Sequence, residues 1–124
     1  MKGIYGFLIA LALAACSSRE SKSSLDLVGK TIEYRYGVSI YHVTFDSDTT
    51  MHWEAMTGEE KGVKENETYA AEWIDSNKLF ISWSEANGMV VSQILDFEKG
   101  KVYNHLVRNR EPSMGEGQIR ILEK

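Results

Sequence analysis

Residues Lys78-Leu79-Phe80-Ile81-Ser82-Trp83-Ser84-Glu85 carry the reading that decides the fold. In a strand, alternate side chains share a face, so this stretch puts Leu79, Ile81, Trp83 and Glu85 together. Asn87-Gly88 follows two positions on. That dipeptide tolerates the positive φ of a tight hairpin turn and predicts an antiparallel partner. The partner is Met89–Phe97, which aligns Met89, Val91, Leu95 and Phe97, with Gln93 among them.

The period of two extends in both directions. Upstream, Thr31–Tyr36 aligns Ile32, Tyr34 and Tyr36, and Ser39–Phe45 aligns Tyr41, Val43 and Phe45. Thr49–Met56 aligns Met51, Trp53 and Ala55, and Glu67–Ile74 aligns Tyr69, Ala71 and Trp73. Downstream, Lys101–Arg108 has Val102 and Leu106 on one side, and Gln118–Leu122 has Ile119 and Ile121. Turn-like breaks separate these runs at Asp46-Ser47-Asp48, Gly58 to Gly62, Asp75-Ser76-Asn77 and Lys99-Gly100, and Pro112 to Gly117 reads as a longer loop. The expectation is an all-β domain of about eight short antiparallel strands. Closure into a barrel would remove both sheet edges, and an open sandwich of the same strands is the alternative.

The start of the chain has a different character. Lys2 is followed by an apolar run from Ile4 to Ala15 that ends Leu13-Ala14-Ala15-Cys16. A positive charge, an apolar core and small residues in that order read as a cleaved signal peptide. The run has about 12 residues where about 20 are needed to span a bilayer. Leu-Ala-Ala-Cys resembles the lipobox of bacterial lipoproteins. That resemblance implies cleavage after residue 15, lipidation of Cys16 and anchoring to a membrane through the acyl chains. Ser17 stands where an aspartate often marks inner-membrane retention, so the implied location is the cell envelope, at the outer membrane facing the periplasm. Residues 16–24 then form a lipidated cysteine and a polar tether, and residues 25–124 form the domain.

Composition narrows the functions. Cys16 is the sole cysteine, so a lipidated chain has no disulfide, no cysteine nucleophile and no thiolate metal site. Losing Lys2 makes the charge one unit more negative than the −4 of the full chain. An acidic domain without a basic run argues against nucleic acid as a partner. His42, His52 and His105 show no ligand spacing, and neither a phosphate-binding glycine loop nor a G-x-S-x-G nucleophile is present. No metal and no cofactor is expected.

The candidate site residues are aromatic, with one carboxylate. Tyr34, Tyr36, Trp53 and Trp83 fall on inward phases. They could fill a small barrel or line a pocket inside it. Glu85 continues the inward face of Trp83. It is either exposed beside its turn or held at the barrel mouth with a raised pKa, as an acid or base requires.

Tyr34-x-Tyr36, His52-Trp53, Gly58-x-x-x-Gly62, Ser82-Trp83-Ser84-Glu85-x-x-Gly88 and Val91-Ser92 form an ordered series. The series resembles the calycin-type, lipocalin-like barrels of the MoaF-like and phenolic acid decarboxylase families across roughly residues 28–107. The decarboxylases release CO₂ from 4-hydroxycinnamic acids inside the barrel without a cofactor. The resemblance implies that Tyr34 and Tyr36 match their tyrosine pair and Glu85 their catalytic glutamate. It departs at two places: a third tyrosine falls at Trp53, and an essential arginine falls at Val63. Arginine grips a carboxylate with a two-pronged fork, and valine cannot. The leading expectation is therefore a membrane-anchored barrel that binds a small, partly apolar or aromatic molecule, with Tyr34, Tyr36, Trp53, Trp83 and Glu85 as ligand-binding residues. The alternatives are a cofactor-independent lyase with Glu85 catalytic, and a non-catalytic envelope scaffold.

Overall fold

The computed structural model describes residues 26–122. The expected signal peptide, the tether and Cys16 lie outside the described residues. Eight strands run in chain order: β1 (Thr31–Tyr36), β2 (Ser39–Phe45), β3 (Thr50–Ala55), β4 (Lys64–Trp73), β5 (Lys78–Ser84), β6 (Val90–Asp96), β7 (Lys101–Arg108) and β8 (Glu111–Ile121). Each pairs antiparallel with its neighbour, and β1 pairs with β8, so the sheet closes into a barrel. The sandwich alternative is thereby excluded.

Alternation sets the register. Tyr34 stands opposite Tyr41, Val43 opposite Trp53, and Trp83 opposite Val91, so the apolar sets of neighbouring strands meet inside. One end of the barrel is packed solid. Ile32, Phe45, Met51, Leu95 and Val102 are almost wholly buried there, and Leu27 tucks in from the segment before β1. Gly29 N donates to Phe45 O at 2.7 Å and fixes that segment in place. Phe45 and Tyr69 meet edge to face at 5.3 Å, a contact worth about 1 kcal/mol beyond the area it buries.

Two strands are longer than the alternation suggested. β4 starts at Lys64, inside a charged stretch that reads as loop, because Glu65 and Asn66 pair with Trp53 and His52. β8 takes in Pro112 to Gly117, which also reads as loop. Its turn is Asn109-Arg110, both at positive φ, as the first hairpin turn of mirror-image type requires. Pro112 stands opposite Val107 near that turn, where proline is tolerated. Gly117 is required by crowding: a Cβ there would lie 2.6 Å from Arg35 O and 2.6 Å from the Tyr36 ring.

On the outer face Glu33 gathers basic side chains around it. Glu33, nearly buried, accepts from Arg120 Nε at 2.7 Å and lies 3.4 Å from His42 and 3.8 Å from Arg35. The Arg120 hydrogen bond is the main cause that holds its carboxyl below the usual range.

Candidate functional site: an aromatic cavity at the barrel mouth

The end opposite the packed core is open. It is framed by the Gly37-Val38 turn, the Thr57–Val63 loop, the Asn87-Gly88 turn and the Asn109-Arg110 turn. A cavity of about 300 Å³ descends from it, at the lower end for small-molecule sites. Tyr36, Tyr41, Trp53 and Trp83 form its walls, with Val43, Met89, Val91 and Leu106 between them. Tyr41 stands nearly perpendicular to both Tyr36 and Trp53, with ring centroids 6.2 and 5.8 Å away.

The floor is polar. Tyr34 OH donates to Gln93 Oε1 at 3.0 Å, and Gln93 Nε2 donates to Asn104 Oδ1 at 2.9 Å and to Tyr36 OH at 3.4 Å. Gln93 uses its acceptor and both amide hydrogens in this way, which is the full satisfaction a buried amide needs. Burial pushes the Tyr34 and Tyr36 hydroxyls well above the ordinary tyrosine range. They remain protonated donors at neutral pH.

The rim and one wall are acidic. Glu85 lies just beyond β5, where its N–H donates to Met89 O and its carbonyl accepts from Gly88 N, both at 2.8 Å. The hairpin turn thus fixes its position. Trp83 Nε1 donates to Glu85 Oε2 at 3.2 Å. Burial raises the Glu85 pKa, helped by the charges of Glu67, Glu60 and Glu65 and opposed by the Trp83 hydrogen bond. Glu60, from the Thr57–Val63 loop, accepts from Tyr41 OH at 2.7 Å, and burial and that contact push Tyr41 up to about 12. Thr57 ties this loop to the first hairpin by donating to Val38 O at 2.6 Å and accepting from Ile40 N at 3.0 Å. Behind the wall, the buried Glu67 accepts from Trp53 Nε1 at 3.0 Å.

All five residues expected at a ligand site line this one cavity: Tyr34, Tyr36, Trp53, Trp83 and Glu85. Their depths differ. Tyr34 is 2% exposed and belongs to the floor, while Glu85 stands half-buried at the rim. Val63 is 39% exposed in the loop and does not line the cavity, and Lys64 is exposed on β4. No lysine, arginine or histidine lines it among the described residues. Among the same residues, no group of three or more His, Cys, Asp or Glu side chains is placed to hold a metal.

Tyr41, expected on an inward phase, also lines the cavity, and Gln93, Asn104, Glu60 and Glu67 are further site residues outside the expected set. For three of them a signal existed. Gln93, Asn104 and Glu67 are polar residues on inward phases, the same anomaly that singled out Glu85. Glu60 had none, because its place depends on how the loop folds back over the mouth.

A family model described as MoaF-like matches residues 28–120. The chain belongs to the MoaF-like family. The match spans all but the last residue of the MoaF-like barrel and includes every cavity residue named above. Ten chains of solved structures are similar to it. One is a crystal structure described as a "putative beta-lactamase" from Burkholderia vietnamiensis, with a TM-score of 0.73 and 23% identity over 80% of this chain and 98% of that one. At that identity the likeness establishes a shared fold. Among curated proteins, none matches this chain.

The Glu67 carboxylate yields a prediction of its own. Burial is the main cause that raises its pKa, opposed by the Trp53 hydrogen bond. A carboxylate with a raised folded-state pKa destabilises the fold once it ionises, so stability is lost as pH rises through that pKa. Glu67→Gln keeps an acceptor for Trp53 and removes the charge. Its melting temperature is expected to exceed the parent's at pH 7 and to equal it near pH 4. A difference that did not change with pH would contradict this account of Glu67.

Proposed function

We propose that this MoaF-like barrel is a lipid-anchored envelope protein that binds a small, partly apolar or aromatic molecule in the cavity at its mouth. The observation that carries the reading is the cavity itself. Four aromatic rings and several aliphatic groups surround a space that ends on a floor of hydrogen-bonding groups, the usual composition of a small-molecule site. In this reading Tyr36, Asn104 and Glu85 orient the ligand, and Trp53 and Trp83 pack against it. Tyr34 supports the floor through Gln93.

The test is titration of the protein with a panel of phenols, benzyl alcohols and aromatic amines, followed by tryptophan fluorescence. A saturable change with at least one compound is expected. The absence of any saturable change across the panel would overturn the reading. The anchor is tested separately: Cys16→Ser should move the protein from the membrane fraction to the soluble fraction, and unchanged fractionation would remove the lipid from the proposal.

A lyase reading draws support from Glu85, a carboxyl with a raised pKa at the cavity rim. Glu85 would deliver a proton to the substrate's vinyl carbon as CO₂ leaves. That chemistry needs the anionic carboxylate of a hydroxycinnamate to be held, and the residues lining the cavity offer hydroxyls and amides but no cation. Binding therefore stands ahead of decarboxylation. Release of CO₂ from 4-hydroxycinnamate, lost in Glu85→Gln, would reverse that order.

A further inference from the structure

Resting on the reading above, we propose that the ligand class is an organic cation, a small amine or ammonium compound with an apolar or aromatic body, held between the aromatic walls and the carboxylates of Glu85 and Glu60.

Nearly buried Glu33 on the outer face and the carboxylates at the cavity meet different partners. On the outer face Glu33 is met by Arg120, Arg35 and His42. In the cavity the partners of Glu85 and Glu60 are neutral donors, Trp83 Nε1 and Tyr41 OH, and Glu67 behind the wall has only Trp53 Nε1. A carboxylate drawn out of water without a counter-charge is costly. Glu67, buried behind the wall, and Glu85, half-buried at the rim, are so placed, the exposed Glu60 adds a further negative charge, and with no cation among the lining residues the electrostatic complement of the site is a positive ligand.

The walls suit the same ligand. Electron-rich ring faces attract cations, most strongly for tryptophan and then tyrosine. Tyr36, Tyr41 and Trp53 are set at steep angles to their neighbours, like the sides of a box. Glu85 Oε2 is engaged by Trp83, and no hydrogen bond occupies its Oε1 among the described residues. An ammonium N–H could donate there. Arg108 is exposed and directs Nη2 to Met89 Sδ at 3.5 Å. The remaining charges of the loop side are Glu59, Lys61, Lys64 and Glu65, all exposed.

Charge is separable from shape with three compounds of nearly equal size: benzylammonium, benzyl alcohol and benzoate. Each is titrated against the protein at pH 7 and low salt, by tryptophan fluorescence and calorimetry. Benzylammonium is expected to bind about tenfold or more tighter than benzyl alcohol, with benzoate weakest. The gap between cation and alcohol should narrow several-fold in Glu85→Gln and narrow with added salt. Equal affinity for cation and alcohol would overturn the charge inference and leave the cavity reading standing. So would a gap that survives in the double variant Glu60→Gln/Glu85→Gln. Failure of all three compounds and of the wider panel would remove the cavity reading and this inference together.

Discussion

Gly117→Val is expected to lower the melting temperature by about 10–20 °C. The reason lies at the seam that closes the barrel. Gly117 sits in β8 beside Gln118, which pairs with Arg35 of β1. A side chain at Gly117 would meet the Arg35 carbonyl oxygen at 2.6 Å and the Tyr36 ring at 2.6 and 2.8 Å. The carbonyl belongs to the ladder and cannot turn away without opening it. Overpacking of this kind costs about 1–3 kcal/mol, and each kcal/mol is worth roughly 4–8 °C in a domain of this size. Gly115 is the internal control, on the same strand and face, two residues away. A Cβ there meets nothing within 4 Å, and its φ is not in the left-handed region. Gly115→Val should therefore stay close to the parent. Thermal unfolding followed by circular dichroism compares the two, and similar melting temperatures for both variants would refute the crowding account.

Gln93→Leu should destabilise the fold by about 2–4 kcal/mol, although leucine matches the buried volume well. Gln93 accepts from Tyr34 and donates to Asn104 and Tyr36. The substitution leaves the Tyr34 hydroxyl, 2% exposed, without its partner and strips Asn104 Oδ1 of its donor. The orphaned, buried Tyr34 hydroxyl costs about 1–3 kcal/mol and the part-buried Asn104 adds less, whereas removing both partners of a hydrogen bond can be nearly neutral. Tyr34→Phe added to Gln93→Leu should therefore recover part of the loss. A coupling of about 1–2 kcal/mol between the two sites is expected from urea unfolding of the four proteins in the cycle. Strict additivity would mean that the floor network carries no net stability.

Most of the barrel was legible because its signal is local. The strands around Trp83, Val43 and Tyr34 alternate cleanly, and Asn87-Gly88 announces its own turn. β8 was not legible in full. Pro112, Gly115 and Gly117 are turn-forming residues by composition, and the reason they lie in a strand is non-local: Tyr36, some eighty positions earlier, occupies the space a side chain at Gly117 would need. The site divides the same way. Tyr34, Tyr36, Trp53, Trp83 and Glu85 were placed by phase and by the family resemblance. Phase alone could not tell the Tyr34 floor from the Glu85 rim, because both satisfy the same alternation. Depth along the barrel comes from strand stagger, which only the closed structure supplies.

A ligand bound in the cavity at the mouth must disturb the groups that line it. The three tryptophans report on it directly. Trp53 and Trp83 line the cavity, whereas Trp73 packs on Phe97 with ring centroids 5.9 Å apart and does not line it. The indole N–H resonances, with the side-chain amides of Gln93 and Asn104, can be followed by nuclear magnetic resonance as benzylammonium or benzyl alcohol is added. Saturable shifts of Trp53, Trp83, Gln93 and Asn104, with Trp73 unmoved, are the predicted result. Shifts confined to Trp73 or to outer-face groups, with the four cavity signals unchanged at saturation, would contradict it.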